Sequence, residues 1–296
     1  MSLNTTILNL RLRLKYLYPL CFNWLKYLDV SDSRETIAKI INTKCSVSRF
    51  GDGEFNLIQG KGNGFQPYDA KLAARLAEIL NSESNNNHIV CIPYALFNTD
   101  KLKKYPADFW KFYAVRHFGF LKKYLSYGHR YYDSLMTRFY MDYDDITESK
   151  LLIKQLKRIW KGRNIIIVEG DATRSGIEND LYKESLSIQR IICPSTNAFQ
   201  FYSEIINAVT INAKKSDLIL LSLGMTATVL AFDLSKLGFQ AIDLGHLDVE
   251  YEWYNRHSTD KIALPGKYVN EVKNGNQISS CDDPSYHSQI ICFIKG

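Results

Sequence analysis

The chain has 296 residues, 46% of them hydrophobic, and a formal charge of +6. That length buries a sizeable core, in one large α/β unit or two smaller ones, and no uncharged apolar run reaches the roughly 18 residues of a membrane span. The basic excess suits an anionic ligand or a membrane surface and demands neither.

Six cysteines, at 21, 45, 91, 193, 281 and 292, form no CxxC pair. Several lie in apolar strand-like runs, so they read as buried free thiols of a reducing, cytoplasmic compartment. Residues 7–28 are apolar, aromatic and basic without a single acid, and lack the continuous apolar centre of a signal peptide. They suit an interfacial helix on the inner face of a membrane, with Arg11, Arg13, Lys15 and Lys26 near anionic headgroups. The plainer reading is a helix packed on the core and broken near Pro19. Residues 1–30 are accordingly set apart from a main domain over 31–296.

A capped helix is expected from Ser31-Asp32-Ser33 to Asn42. A short β-like run, Cys45 to Ser48, leads into Arg49-Phe50-Gly51-Asp52-Gly53-Glu54. Glycines at 51 and 53 tolerate unusual backbone angles, so a turn here could aim both carboxylates at one spot. Hard divalent cations take such oxygens together with substrate phosphates, and Arg49 adds a charge suited to phosphate. An exposed turn would have the same composition.

Residues 69–82 have helical periodicity and His88 to Pro93 reads as a buried strand. Residues 105–143 form an aromatic and basic block, including Phe109, Trp110, Phe112, Tyr113, Lys111 and Arg116. Such a block could stack sugars or bases, or be a helical insertion with an aromatic core. Residues 145–160 look helical, Asn164 to Glu169 and Ile188 to Cys193 extended, 197–213 helical, Asp217 to Leu223 extended, 226–237 helical and Gln240 to Leu244 extended. Strands alternating with helices imply an α/β fold with a mostly parallel sheet flanked by helices.

Ligands of such folds gather at the carboxyl ends of the strands. Four segments share that address: Gly51 to Glu54, Glu169 to Asp180, Leu223 to Thr228 and Gly245 to Glu252. Arg174 is the best phosphate ligand of the second. Backbone N–H groups after Gly224, with the Thr226 or Thr228 hydroxyl, make an anion site of the third, although simple N-capping by Thr226 would look the same. In the fourth, an extended backbone would put His246, Asp248, Glu250 and Glu252 on one face. There Glu250 is the first candidate for general base and Asp248 the second, with His246 a phosphate contact or a base.

The ordered set of Arg49 to Glu54, Arg174-Ser175-Gly176-Ile177-Glu178-Asn179-Asp180, Leu223 to Ala231, Gly245 to Trp253 and Pro265-Gly266-Lys267-Tyr268-Val269-Asn270-Glu271 resembles the bacterial GT-D glycosyltransferases, first catalogued as a domain of unknown function. The resemblance covers roughly residues 32 to 275. It implies a Rossmann-like sheet, a nucleotide-sugar donor, usually a UDP-sugar, and an Asp-x-Glu motif holding a metal-bound diphosphate, which falls on Asp52 and Glu54. Mn²⁺ or Mg²⁺ is the expected ion. Donor contacts are expected at Arg49, Gly51, Arg174, Asn179, Gly224 and Thr226. Glu178 departs from the pattern, where a glycine is expected.

The expected function is metal-dependent transfer of a sugar to a glycan, glycoprotein or lipid-linked acceptor in cell-surface polysaccharide or glycoprotein assembly, with the aromatic block on the acceptor side. A metal-dependent phosphohydrolase could use the same carboxylates. A nucleic-acid or polyanion binding module is the non-enzymatic alternative, disfavoured by the acids of 246–252.

Overall fold

The computed structural model describes residues 16–275, 278 and 280–295. Among them a nine-stranded sheet runs in the order β1-β4-β3-β2-β8-β7-β5-β6-β9, and every pairing is parallel. The strands are β1 (Asp29–Val30), β2 (Ser46–Arg49), β3 (His88–Ile92), β4 (Arg130–Asp133), β5 (Asn164–Gly170), β6 (Ser187–Cys193), β7 (Leu218–Ser222), β8 (Gln240–Asp243) and β9 (Ile290–Phe293).

Strand side chains alternate between two layers of helices, as the pleat requires. Ile165 and Ile167 of β5 face the layer containing α2 (Ser33–Thr43) and α7 (Ile146–Trp160). Ile166 and Val168 face α8 (Tyr202–Asn212) and α9 (Met225–Lys236). The second layer continues over α3 (Asp52–Ile58), α4 (Ala70–Leu80), α5 (Lys104–Arg116) and α6 (Phe118–Tyr124). Both faces are covered, which is why β5 and β7 are nearly continuous apolar runs.

The expected α/β class is observed. The aromatic block, however, is not wholly helical: Arg130–Asp133 inside it forms β4 between β1 and β3. Tyr131 and Tyr132 are both buried, one on each side of the sheet.

Residues 16–25 form the helix α1, unbroken at Pro19, whose fixed φ suits a helix. Cys21, Leu25 and Leu28 enter the core, while Tyr16, Leu17, Leu20 and Tyr27 are exposed. Residues 7–15 of the basic N-terminal run, with Arg11, Arg13 and Lys15, lie outside the described residues. No helix among the described residues is long and apolar enough to cross a membrane.

Candidate active site

The chain winds outward twice, along β2-β3-β4 and along β5-β6, and returns through β7 and β8 to fill the space between. The carboxyl ends of β2, β8, β7 and β5 therefore meet at the centre, where a doubly wound sheet offers its crevice.

At the end of β2, Phe50 stacks on Phe55 inside the core and Gly51 caps α3. Asp52 and Glu54 thus occupy the first turn of a helix, two residues apart, and diverge instead of sharing one direction. Asp52 is exposed. Glu54 folds back so that its Oε2 accepts the Gly51 N–H at 2.7 Å. Burial first, then the charge of Asp243, pushes the Glu54 carboxyl up to about 7. Neither Gly51 nor Gly53 has a positive φ. Gly53 serves close approach: a Cβ there would lie 2.7 Å from Met225 Cε.

Asp52 opens into a cleft of about 480 Å³ between α3, the 61–63 loop and α5. Lys61, Phe109, Phe112, Tyr113, Arg116 and His117 line it. Lys61 and His117 carried no signal in the sequence, because the cleft arises only when α5 packs across α3.

Arg49 turns inward. Its Nη1 donates to the Leu244 carbonyl at 2.9 Å and to Thr137 Oγ1. Gly245, at φ +52°, lies under it, and a Cβ would come within 2.7 Å of Nη1. Arg49 therefore ties the ends of β2 and β8 together. Beside it the buried Asp243 accepts from the Gly245 N–H at 3.0 Å and from Thr228 Oγ1 at 3.2 Å.

Gly224, at φ +53°, precedes α9, and Phe65 lies where its Cβ would be. Thr226, in the first turn of α9, is fully buried, and its Oγ1 has no hydrogen-bond partner among the described residues. It does not cap the helix through its side chain.

The loop after β5 is built on a buried pair, Glu169 and Arg190, at 2.5 Å. Glu169 Oε2 accepts the Ser175 N–H at 2.7 Å and Arg190 Nη2 donates to the Ser175 carbonyl at 2.9 Å. Arg174, at φ +48°, donates from Nη1 to the Gly266 carbonyl at 2.8 Å. Asn179 is spent internally: Nδ2 donates to Asp248 at 2.8 Å and Glu252 at 2.7 Å, and Oδ1 accepts the Leu181 N–H. Glu178 has φ +62°, a conformation that favours glycine and accounts for the expectation of glycine there.

The segment 246–252 is not extended. Leu247–Asn255 forms the helix α10, with His246 as its N-cap. Its alternation mimics a strand because tertiary contacts bury the helix on every side, from Leu247 through Trp253. The four polar residues consequently fall into two pairs four residues apart. Asp248 and Glu252 face the Asn179 amide and Lys267, whose Nζ is 2.6 Å from Asp248 Oδ2. Glu250, fully buried, accepts the Met141 N–H at 2.9 Å and lies 3.5 Å from Arg138. Burial raises its pKa against the pull of Arg138.

His246 stands at the edge of that second group, its Nδ1 3.6 Å from Glu271. Desolvation, then the Arg138 charge, pushes the imidazole down to about 4. Arg138 holds Glu271 through two bonds of 2.6 and 2.7 Å. Burial alone would raise the Glu271 pKa; Arg138 overrides it and holds that carboxyl well below the usual range. Glu250 is enclosed in this packing, and both oxygens of Asp248 are occupied. The shared extended face expected for His246, Asp248, Glu250 and Glu252 is therefore not formed, and Glu250, Asp248 and Asn179 each have partners within the protein.

A parallel α/β sheet with a polar crevice at its carboxyl edge is the architecture of ligand-binding α/β proteins, many of them enzymes. The model of the glycosyltransferase GT-D fold matches residues 47–272. The chain belongs to this GT-D family. It is 36% identical over 270 residues to the glycosyltransferase GlyD of Streptococcus pneumoniae, covering 91% of this chain and 33% of that protein. It is 37% identical over 271 residues to a probable glycosyl transferase Gly of Streptococcus gordonii, covering 91% and 39%. The chain thus spans about a third of the length of these curated relatives. A solved structure of the domain of unknown function 1792, described as having a distinct glycosyltransferase fold, superposes with TM-score 0.90 at 37% identity. The match covers 94% of this chain and all of that one. A second, a new glycosyltransferase from Streptococcus sanguinis, gives TM-score 0.86 at 36% identity, covering 90% of this chain and all of that one.

Proposed function

We propose that the chain transfers a sugar from a UDP-sugar to a glycan, glycoprotein or lipid-linked acceptor in bacterial cell-surface glycan or glycoprotein assembly, with Mn²⁺ or Mg²⁺. The observation that carries this reading is the placement of Asp52. It leaves the end of β2 at the central crevice and opens into a cleft whose other wall is aromatic and basic.

The exposed Asp52 carboxylate suits a hard cation, and Glu54, two residues on and turned toward Gly51, adds a second carboxylate nearby. Asp52 and Glu54 form no ion pair with another described residue, and Asp243 adds charge close enough to be felt at Glu54. No cluster of three or more His, Cys, Asp or Glu among the described residues is arranged to hold a metal alone. Donor phosphate oxygens would complete the shell, the habit of Mg²⁺ and similar ions. A bound divalent cation would neutralise charge developing on the departing diphosphate.

The chain's own groups divide the remaining work. The Gly51 N–H orients Glu54. The buried Thr226 hydroxyl and the amides that open α9 offer donors to an anionic group. Arg174 and His246 flank the crevice from the 171–180 loop and the start of α10, as donor contacts. Phe109 and Phe112 supply faces for an acceptor sugar, and Lys61 and Arg116 supply cations. The exposed Tyr16, Leu17, Leu20 and Tyr27 support a peripheral membrane contact on the cytoplasmic side.

Calorimetric titration with UDP in the presence of Mn²⁺ tests the reading. Asp52→Asn and Glu54→Gln should each weaken metal-dependent binding by about tenfold or more while keeping the fold. Unchanged affinity in both variants would remove the carboxylates from the donor site.

A further inference from the structure

We infer that His117 is the general base that takes the proton from the acceptor hydroxyl, and that Gln59 is the residue that sets its tautomer. This rests on the glycosyltransfer reading above and assigns a residue of the same cleft. The cleft places His117 in one cavity with Asp52, the residue that would hold the leaving diphosphate through a cation.

The hydrogen bonds decide which imidazole nitrogen carries the proton. Gln59 is the last residue before the loop that leaves α3, and its Nε2 donates to the Phe55 carbonyl at 3.0 Å. That bond fixes the amide, so Oε1 is the atom facing His117. Oε1 lies 3.0 Å from His117 Nδ1 and can only accept. Nδ1 therefore carries the hydrogen and Nε2 carries the lone pair. Nε2 makes no hydrogen bond to another described residue. The ring is held flat against Tyr113, with centroids 4.2 Å apart and planes 21° from parallel. A base whose tautomer and plane are both fixed by neighbours is the arrangement that proton abstraction requires.

The charged and titratable groups facing this imidazole are Arg116 and Tyr113 from α5, Lys61 from the loop after α3, and Asp52 from the start of α3. Burial, then Arg116 and Lys61, lowers the His117 pKa from 6.5. The ring is consequently neutral at physiological pH and able to accept a proton. Glu250, enclosed and bonded to Met141, offers no comparable access.

The step is a direct displacement. The acceptor hydroxyl oxygen forms the new bond to the anomeric carbon of the sugar. The bond from that carbon to the diphosphate oxygen breaks, with its electron pair leaving on the nucleoside diphosphate. The hydroxyl proton passes to His117 Nε2, and the imidazolium then returns it to solvent. The product accordingly has the anomeric configuration opposite to that of the donor.

The test uses the full chain with Mn²⁺, a panel of UDP-hexoses and p-nitrophenyl hexosides as acceptors. His117→Gln should lower kcat by about 10²-fold or more with Mn²⁺·UDP affinity within about twofold of the parent. His117→Ala should recover part of its turnover when imidazole is added, which a merely structural role would not allow. Gln59→Glu, by facing Nδ1 with a carboxylate, should move the acid limb of the pH–kcat profile upward by about one unit. Near-parental turnover of His117→Gln, an unmoved limb in Gln59→Glu, or product of the donor's own configuration would each overturn the assignment. If the parent itself neither binds Mn²⁺·UDP nor transfers sugar, the glycosyltransfer reading fails instead.

Discussion

Lys267 Nζ lies 2.6 Å from Asp248 Oδ2, and both side chains are buried. The same carboxylate accepts the Gly176 N–H at 2.8 Å and the Asn179 amide at 2.8 Å. One acid of α10 thereby ties the 174–180 loop to the segment carrying Gly266 and Tyr268, whose N–H donates to the Ala172 carbonyl. Two chain stretches far apart in sequence are thus joined through Asp248, alongside the Arg174–Gly266 and Tyr268–Ala172 bonds and a second Lys267 contact, with Glu252 at 3.4 Å.

Lys267→Met should therefore be costly. Removing one partner strands a buried carboxylate, a change of about 3–5 kcal/mol. Urea unfolding would read that loss, and amide hydrogen exchange should quicken at residues 175–180 before the sheet amides respond. A loss below about 1 kcal/mol would show that the loop holds without the pair.

Glu178→Gly should stabilise the protein. The left-handed conformation at φ +62° is worth roughly 1–2 kcal/mol against a non-glycine residue, partly offset by about 0.5–1 kcal/mol of unfolded-chain entropy regained by glycine. A gain of up to about 1 kcal/mol is expected in denaturant unfolding. A net loss would mean that the exposed Glu178 side chain makes a stabilising contact in solution.

The strands β3, β5 and β7 were legible because each is a short, mostly apolar run buried on both faces, while β2, β6 and β8 were legible as short extended stretches set between helical or glycine-bearing segments. β1 and β9 escaped notice as a two-residue and a four-residue edge strand, and β4 was hidden among aromatic residues that also suit helices. The strand-end rule located the crevice, yet it could not say which way each acid points. Asp52 faces the cleft and Glu54 faces Gly51 because the string begins a helix. The acids of 246–252 sit on a helix whose polar positions are matched by Asn179, Lys267 and Arg138, partners invisible to local pattern. His117 drew no attention because its role depends on Gln59, 58 residues earlier.

His88 should make the protein acid-sensitive. Burial, then the Lys236 charge, pushes the imidazole from 6.5 down to about 4, and Nε2 lies 2.8 Å from Ser48 Oγ. Between these values the unfolded chain binds a proton that the folded chain does not. The contribution is present above pH 6.5 and is lost as pH falls toward 4. At 1.36 kcal/mol per unit the full shift corresponds to roughly 3 kcal/mol. Because buried acids such as Asp133 titrate in the opposite sense, the measurement is the stability difference between parent and His88→Gln. That difference should move in favour of the variant from pH 7 to pH 4, and a pH-independent difference would show that His88 is not held neutral.

Glu250→Gln separates the structural from the catalytic reading of α10. The Glu250 side chain is fully enclosed, accepts the Met141 N–H at 2.9 Å, and sits 3.5 Å from Arg138, which also holds Glu271. Glutamine keeps an oxygen for Met141 and removes the charge that offsets Arg138. The expected result is a loss of about 1–3 kcal/mol in unfolding free energy. Turnover at saturating donor and acceptor, measured below the melting transition, should stay within about threefold if the enclosed carboxyl acts only on the packing. A base in contact with the acceptor would instead lose about 10²-fold or more on the same substitution. A stable Glu250→Gln protein with that larger loss would return Glu250 to the reaction and require the 138–141 segment to open during turnover.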